Sequence, residues 1–139
     1  MKRIIYLFYL ILGCLLAIPS KATLLMDKCN LPDLSNNAIL YMHQDRDHYV
    51  WFGTYDGLNL YNGTDSYVFR FEQNNENSLC SNIIHKITDA EPGYLWIATS
   101  LGINKFSLDK RAVVESYPGY LECSFLATDR KGNTLAVCK

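Results

Sequence analysis

Residues 50–63, VWFGTYDGLNLYNG, carry two turn signals, Asp56-Gly57 and Asn62-Gly63, around a segment of about four residues. Asn-Gly and Asp-Gly are the strongest short hairpin signals, because a two-residue type I′ loop requires φ > 0 at both central positions. Leu58–Tyr61 therefore has room for one short strand, preceded by a strand at Val50–Thr54. Working outward, Tyr67–Phe71 is a third β-rich run. Ile39–His43 is a fourth, set apart from Val50 by the polar run Gln44-Asp45-Arg46-Asp47-His48. The expected unit is a meander of four short antiparallel strands. Such a sheet has two faces to cover and two open edges, so it must stack on something.

The partner is a second copy of the same unit. Shifted by 45 residues, the chain matches itself without a gap from Leu34 to Phe106. Trp51 meets Trp96, Thr54 meets Thr99, Gly57 meets Gly102 and Asn59 meets Asn104, while Gly53 meets Ala98, Phe52 meets Ile97 and Tyr61 meets Phe106. A period of 40–50 residues built only from strands is the mark of a β-propeller blade. A third copy begins at Asp129-Arg130-Lys131-Gly132-Asn133, with Leu135 in the tryptophan slot, and Lys139 falls inside its second strand. The expected fold is all-β: about two and a half four-stranded blades of an incomplete propeller, behind a signal-peptide helix. The segments are a signal peptide at 1–22, an N-terminal segment at 23–33, blades at 34–78 and 79–122, and the start of a third at 123–139. Open blade faces predict broad, weakly cooperative melting of the isolated chain.

Within each blade, turns are expected near Asp47-His48, Asp56-Gly57 and Asn62-Gly63, then near Pro92-Gly93, Ser100–Gly102 and Leu108-Asp109. Gln73–Ser78 and Ser116–Glu122 read as linkers. Trp51 and Trp96 are expected in equivalent positions between blades, as core rather than as ligand-stacking rings. Gly53 and Ala98 would allow close packing near the axis. Asp45, Asp56, Asp65 and Asp89 read mostly as turn residues. Asn62-Gly63-Thr64 has the form of a glycosylation sequon, but its Asn-Gly already has a turn role.

The N-terminus has Lys2-Arg3, an apolar run from Ile4 to Ile18, and small residues at Ser20 and Ala22. This is the pattern of a secretory signal peptide cleaved after Ala22. An uncleaved anchor is the second reading. Cys14 sits within the apolar run, which argues against lipidation there. Leu24–Asp27 has no place in the first blade and is expected to be the closing strand of a distant one. Cleavage would leave about 117 residues and a net charge near −4, since Lys2, Arg3 and Lys21 go and all 14 acidic residues stay. Nothing basic suggests nucleic acid. The remaining cysteines, Cys29, Cys80, Cys123 and Cys138, allow three pairings, and the sequence does not choose among them. Buried free thiols are the favoured expectation. His43, His48 and His85 lack metal-ligand spacing, and His85 reads as a packed strand residue. No catalytic, cofactor or metal residue is assigned. The positions that carry the reading are Trp51, Gly53, Thr54, Gly57, Trp96, Thr99 and Gly102.

Residues 34–63, 78–106 and 129–137 (LSNNAILYMHQDRDHYVWFGTYDGLNLYNG, SLCSNIIHKITDAEPGYLWIATSLGINKF and DRKGNTLAV) resemble two-component regulator propeller repeats. The family pattern runs Leu-Ser-x-Asn, an Asp, then Leu-Trp-x-Gly-Thr-x-x-Gly-Leu. The chain departs from it at Pro32-Asp33, at Asp47-His48 where Asp-Gly is usual, and at Ala98 where Gly is usual. The resemblance implies the exported, periplasmic sensor half of a hybrid two-component histidine kinase of Bacteroidetes type, anchored in the inner membrane. Its partners would be an oligosaccharide at the propeller face and the remaining blades and kinase of the parent. A homodimeric parent is compatible with it. No kinase or receiver motif stands in these 139 residues, so no catalysis is expected of them. Two other classes stay open: an exported propeller glycosidase or lyase, and a secreted interaction scaffold. An enzyme would need a positioned carboxylate pair or its equivalent.

Overall fold

The computed structural model describes residues 33–129 and 131–139. The expected signal peptide, the strand expected at Leu24–Asp27, and Cys29 lie outside the described residues. No helix occurs among those described, so none is long and apolar enough to cross a membrane.

The fold is all-β and consists of propeller-type antiparallel meanders. The first four-stranded sheet contains β1 (Ile39–Gln44), β2 (Val50–Thr54), β3 (Gly57–Tyr61) and β4 (Ser66–Phe69) in that spatial order. The second repeats it with β5 (Ile84–Asp89), β6 (Tyr94–Thr99), β7 (Gly102–Ser107) and β8 (Ala112–Pro118). A two-stranded hairpin, β9 (Phe125–Thr128) and β10 (Thr134–Val137), follows. The first strands β1, β5 and β9 are neighbours in succession. Each four-stranded sheet has a register shift at the same place in its first strand, at Ile39/Tyr41 and at Ile84/Lys86.

Two blade faces form the main core. Trp51, Leu58 and Leu60 from the first blade meet Ile84, Ile87, Leu95, Ile97, Phe106 and Val113 from the second, all buried. The Trp51 ring lies edge-on to Phe106 at 5.5 Å, and Phe69 completes the aromatic cluster. A smaller core joins Ala98 and Ile103 of the second blade to Cys123 and Leu126 of the hairpin.

Several local expectations are corrected. The β2–β3 loop residues are Tyr55-Asp56, with Thr54 paired to Gly57, and neither Tyr55 nor Asp56 has positive φ. The turn is therefore not a type I′ Asp-Gly loop. The threonine side chain caps it instead. Gly57 is needed for another reason: its φ is 127° and a Cβ there would lie 2.7 Å from the Phe69 carbonyl oxygen. The Asn62-Gly63 turn is a four-residue loop, Asn62–Asp65, in which Asn62 Oδ1 accepts from the Thr64 and Asp65 N–H groups at 2.9 and 2.7 Å. The fourth strand stops at Phe69 because Arg70 turns away to Asp56 and the Phe71 N–H donates to Asn82 Oδ1 at 2.7 Å. Ser116–Pro118, expected in a linker, extend β8. Proline is tolerated there because β8 is outermost and needs no second ladder partner.

The thiol expectation is also corrected. Cys123 and Cys138 form a disulfide across the β9–β10 hairpin, and Cys80 is half-buried and free among the described residues.

Candidate functional site

The repeated residues form a backbone-holding device at the β2–β3 and β6–β7 turns. Thr54 Oγ1 donates to the Gly57 carbonyl at 3.0 Å and accepts from the Asp56 N–H at 3.0 Å. Thr99 Oγ1 donates to the Gly102 carbonyl at 2.8 Å and accepts from the Leu101 N–H at 3.3 Å. Both threonines are fully buried, so these bonds replace water the turn has lost. The device extends through an asparagine not singled out from sequence. Asn59 Oδ1 accepts from the Ser35 N–H at 2.8 Å, and Asn104 Oδ1 accepts from the Cys80 N–H at 3.0 Å. Each buried amide fixes the chain entering its own blade. Its signal was visible as the pairing of Asn59 with Asn104 in the 45-residue shift.

Gly53 is a point of close approach between blades. A Cβ there would sit 2.7 Å from Ile84 Cγ2 and 2.9 Å from Ile84 Cβ. In the second blade the equivalent is Ala98, fully buried against the hairpin. The hairpin residue equivalent to Ile84 is Cys123, at an offset of 39 set by Ala90 and Asp129. Both of those N–H groups donate to the carbonyl four residues on. The added methyl of Ala98 is thus met by a smaller partner.

The two tryptophans share a face position but not an environment, which corrects the expectation that both are core. Trp51 is 1% exposed, and its Nε1 donates to Asp45 Oδ2 at 2.8 Å. Asp45 Oδ1 also accepts from the Asp47 and Tyr49 N–H groups. Asp129 repeats this turn geometry with Lys131 and Asn133, and these bonds hold its carboxyl below the usual range. Trp96 is half-buried, and the position of Asp45 is taken by Ala90 and that of Leu60 by Lys105. The opposing hairpin covers only part of it with Leu126 and Ala136. A cleft of about 560 Å³ remains, lined among others by Trp96, Ile103, Tyr117 and Tyr120.

Lys105 organises the polar side of that face. It pairs with Glu91 and, at 3.3 Å, with Glu115, and it stands 5.0 Å from the Tyr94 ring centroid. The hydrogen bond from Lys105 holds the Glu91 carboxyl below its usual range, and Glu91 in turn raises the Lys105 ammonium. Tyr117 donates to Glu115 at 2.6 Å, which lowers the Glu115 carboxyl and raises the phenol.

Between the first strands, His43 Nε2 lies 3.2 Å from Asp89 Oδ1, with Arg46 3.9 Å from the other oxygen. Asp89 is thus an inter-blade partner rather than a turn residue. His85 is half-buried in β5. Among the described residues, no group of three or more His, Cys, Asp or Glu side chains could hold a metal ion.

With this geometry in place, the comparison with protein families is specific in position: residues 33–56 match the family described as two component regulator propeller. The match spans the entry to the first blade, β1, β2 and the β2–β3 loop, so this segment is a two-component regulator propeller repeat. No curated protein matches the chain.

Proposed function

We propose that this protein is the propeller part of an exported two-component sensor, a binding module that reads an oligosaccharide and passes the signal to a kinase outside these residues. The observation that carries the reading is the repeat match at residues 33–56, within a blade whose turn chemistry recurs in the next. The Cys123–Cys138 disulfide supports an oxidising compartment such as the periplasm. In this reading the chain does no chemistry of its own. It supplies blade surfaces, and the parent sensor supplies the remaining blades, the membrane anchor and the kinase.

The test is cell fractionation of a tagged protein in its native cells, combined with thiol alkylation and an oligosaccharide array on the purified chain. The expected result is an envelope-associated protein with Cys123 and Cys138 protected from alkylation and at least one bound oligosaccharide. A cytoplasmic protein with both thiols reactive refutes the exported-sensor reading.

A further inference from the structure

We propose that the open outer edge of β8 accepts an extended peptide strand carrying apolar and basic residues, in a groove shared with the Gln73–Ser78 linker.

The two blades end differently. β4 has 4 residues and stops at Phe69, whereas β8 runs for 7, Ala112–Pro118. Both are outermost strands, so each has one edge without a ladder partner. Such an edge presents a row of backbone N–H and C=O groups, which proteins blunt with short strands, bulges and proline. β4 is blunted by being short. In β8 a register shift lies opposite Lys105/Phe106 and Pro118 closes the far end, and the stretch between them stays open. The Gly119 N–H donates to the Leu101 carbonyl at 3.1 Å, which continues the β7–β8 ladder and sets its phase. Glu115 and Tyr117 therefore turn their backbone toward β7, and Ser116 turns its N–H and C=O outward.

That edge lines a groove of about 490 Å³, whose other wall is the linker. The Val113 N–H donates to the Asn77 carbonyl at 2.9 Å, so the linker already makes one strand-like bond to β8, and the groove continues that contact. The linker wall is held from within. Asn75 Nδ2 donates to Glu72 Oε2 at 2.7 Å, and Ser78 Oγ donates to the Asn75 carbonyl at 2.8 Å. Phe71, 50% exposed, and Val114, 37% exposed, give the groove its apolar surface. Its charged lining residues are Glu76 and Glu115, with no base beside them. Glu115 is paired with Lys105, while Glu76 has no ionic partner among the described residues.

These features define the occupant. Strand addition takes its affinity from backbone bonds and its selectivity from the side chains that flank the added strand. Apolar residues of the incoming strand cover Phe71 and Val114, and the unpaired Glu76 carboxylate selects lysine or arginine and repels acid. A second copy pairing through its own β8 would bring the same carboxylates against each other, so the partner is a different segment.

The experiment follows hydrogen exchange and Cys80 alkylation in the purified full chain on titration with a short peptide alternating valine and lysine. A valine–glutamate peptide is the comparison, and both are repeated on Glu76→Lys and Phe71→Ser. Both positions are exposed, and Phe71 holds Asn82 through its backbone N–H, so neither variant removes a core contact. The valine–lysine peptide should slow exchange of the Ser116 amide and alkylation of Cys80, which lines the same groove. Each variant should weaken its binding at least tenfold, and the valine–glutamate peptide should not bind. Wild-type affinity in either variant, equal binding of the two peptides, or protection that omits Ser116 overturns the proposal. A dimer in sedimentation whose Ser116 amides are protected without peptide also overturns it, since a second copy then fills the edge.

Discussion

Replacing Gly53 with alanine probes the tightest inter-blade contact. The new Cβ would lie 2.7 Å from Ile84 Cγ2, 2.9 Å from Ile84 Cβ and 3.3 Å from the Ile84 carbonyl oxygen. Two of these are shorter than any ordinary carbon–carbon contact, and both belong to a β-branched side chain fully buried in the core. Gly53 does not have positive φ, so alanine meets no backbone strain and would by itself gain about 0.4–1 kcal/mol from a less flexible unfolded chain. Overpacking costs about 1–3 kcal/mol, so sterics win and Gly53→Ala is expected to destabilise. Ile84→Ala alone should cost about 2–5 kcal/mol through lost burial and a cavity. Combined, the changes should cost at least about 1 kcal/mol less than their sum, because each relieves what the other causes. Native-state hydrogen exchange at β2 and β5 amides measures this cycle without requiring two-state unfolding. A neutral or stabilising Gly53→Ala, or a strictly additive double variant, refutes the close-approach argument.

His48 has φ of 68° where Gly93 and Gly132 have 87°, so His48→Gly should raise stability by about 0.5 kcal/mol, left-handed strain outweighing added unfolded-state freedom; a lower melting temperature refutes this. Asp45→Ala strands the buried Trp51 N–H and two turn amides and should cost about 2–3 kcal/mol, whereas removing Asp129 from its exposed turn should cost far less in the same melt. Replacing Cys123 and Cys138 with serine opens a link of sequence separation 15, a loss of about 3 kcal/mol; exchange should speed up in β9–β10 and stay unchanged around Trp51. Glu91 and Glu115 are held below their usual values in the folded state, so their pairing stabilises at neutral pH and is lost as pH falls through their folded values; Trp96 fluorescence should shift there, and no shift in Lys105→Met is the control.

Much of this was legible because repeats convert sequence spacing into geometry. The 45-residue shift located both meanders and the threonine–glycine pairs. The disulfide was legible by the same rule and was missed. Ile39 pairs with Thr54 and Ile84 with Thr99, each at a separation of 15, and Cys123 and Cys138 stand at the same separation on the equivalent positions. Reading the cysteines against the strand register, rather than as four interchangeable thiols, selects that pairing. The Trp96 surroundings were not legible by analogy. A tryptophan's burial depends on residues from the next unit and on its cross-strand neighbour, and here Lys105 replaces Leu60. The inter-blade pair of His43 with Asp89 was equally hidden, since neither residue recurs at the shift.

What recurs and what drifts follow from the kind of interaction each residue makes. Thr54 and Thr99, and Asn59 and Asn104, bond to backbone groups that every sequence presents identically. No substitution elsewhere can replace a missing backbone partner, and an orphaned buried amide costs about 1–3 kcal/mol. Packing positions are different, because a neighbour can change in compensation. Gly53 against Ile84 becomes Ala98 in a cluster with Cys123, the larger residue of one pair matched by the smaller of the other. Asp45 serves Trp51, and where Ala90 takes its place Trp96 is no longer sealed in the core. The blade scaffold is therefore held by its buried hydrogen bonds, while the seams between blades are free to change shape. A seam that can vary without unfolding the blade is where such a repeat protein can change its surface chemistry, as Lys105 does beside Trp96 where the first blade has Leu60 beside Trp51.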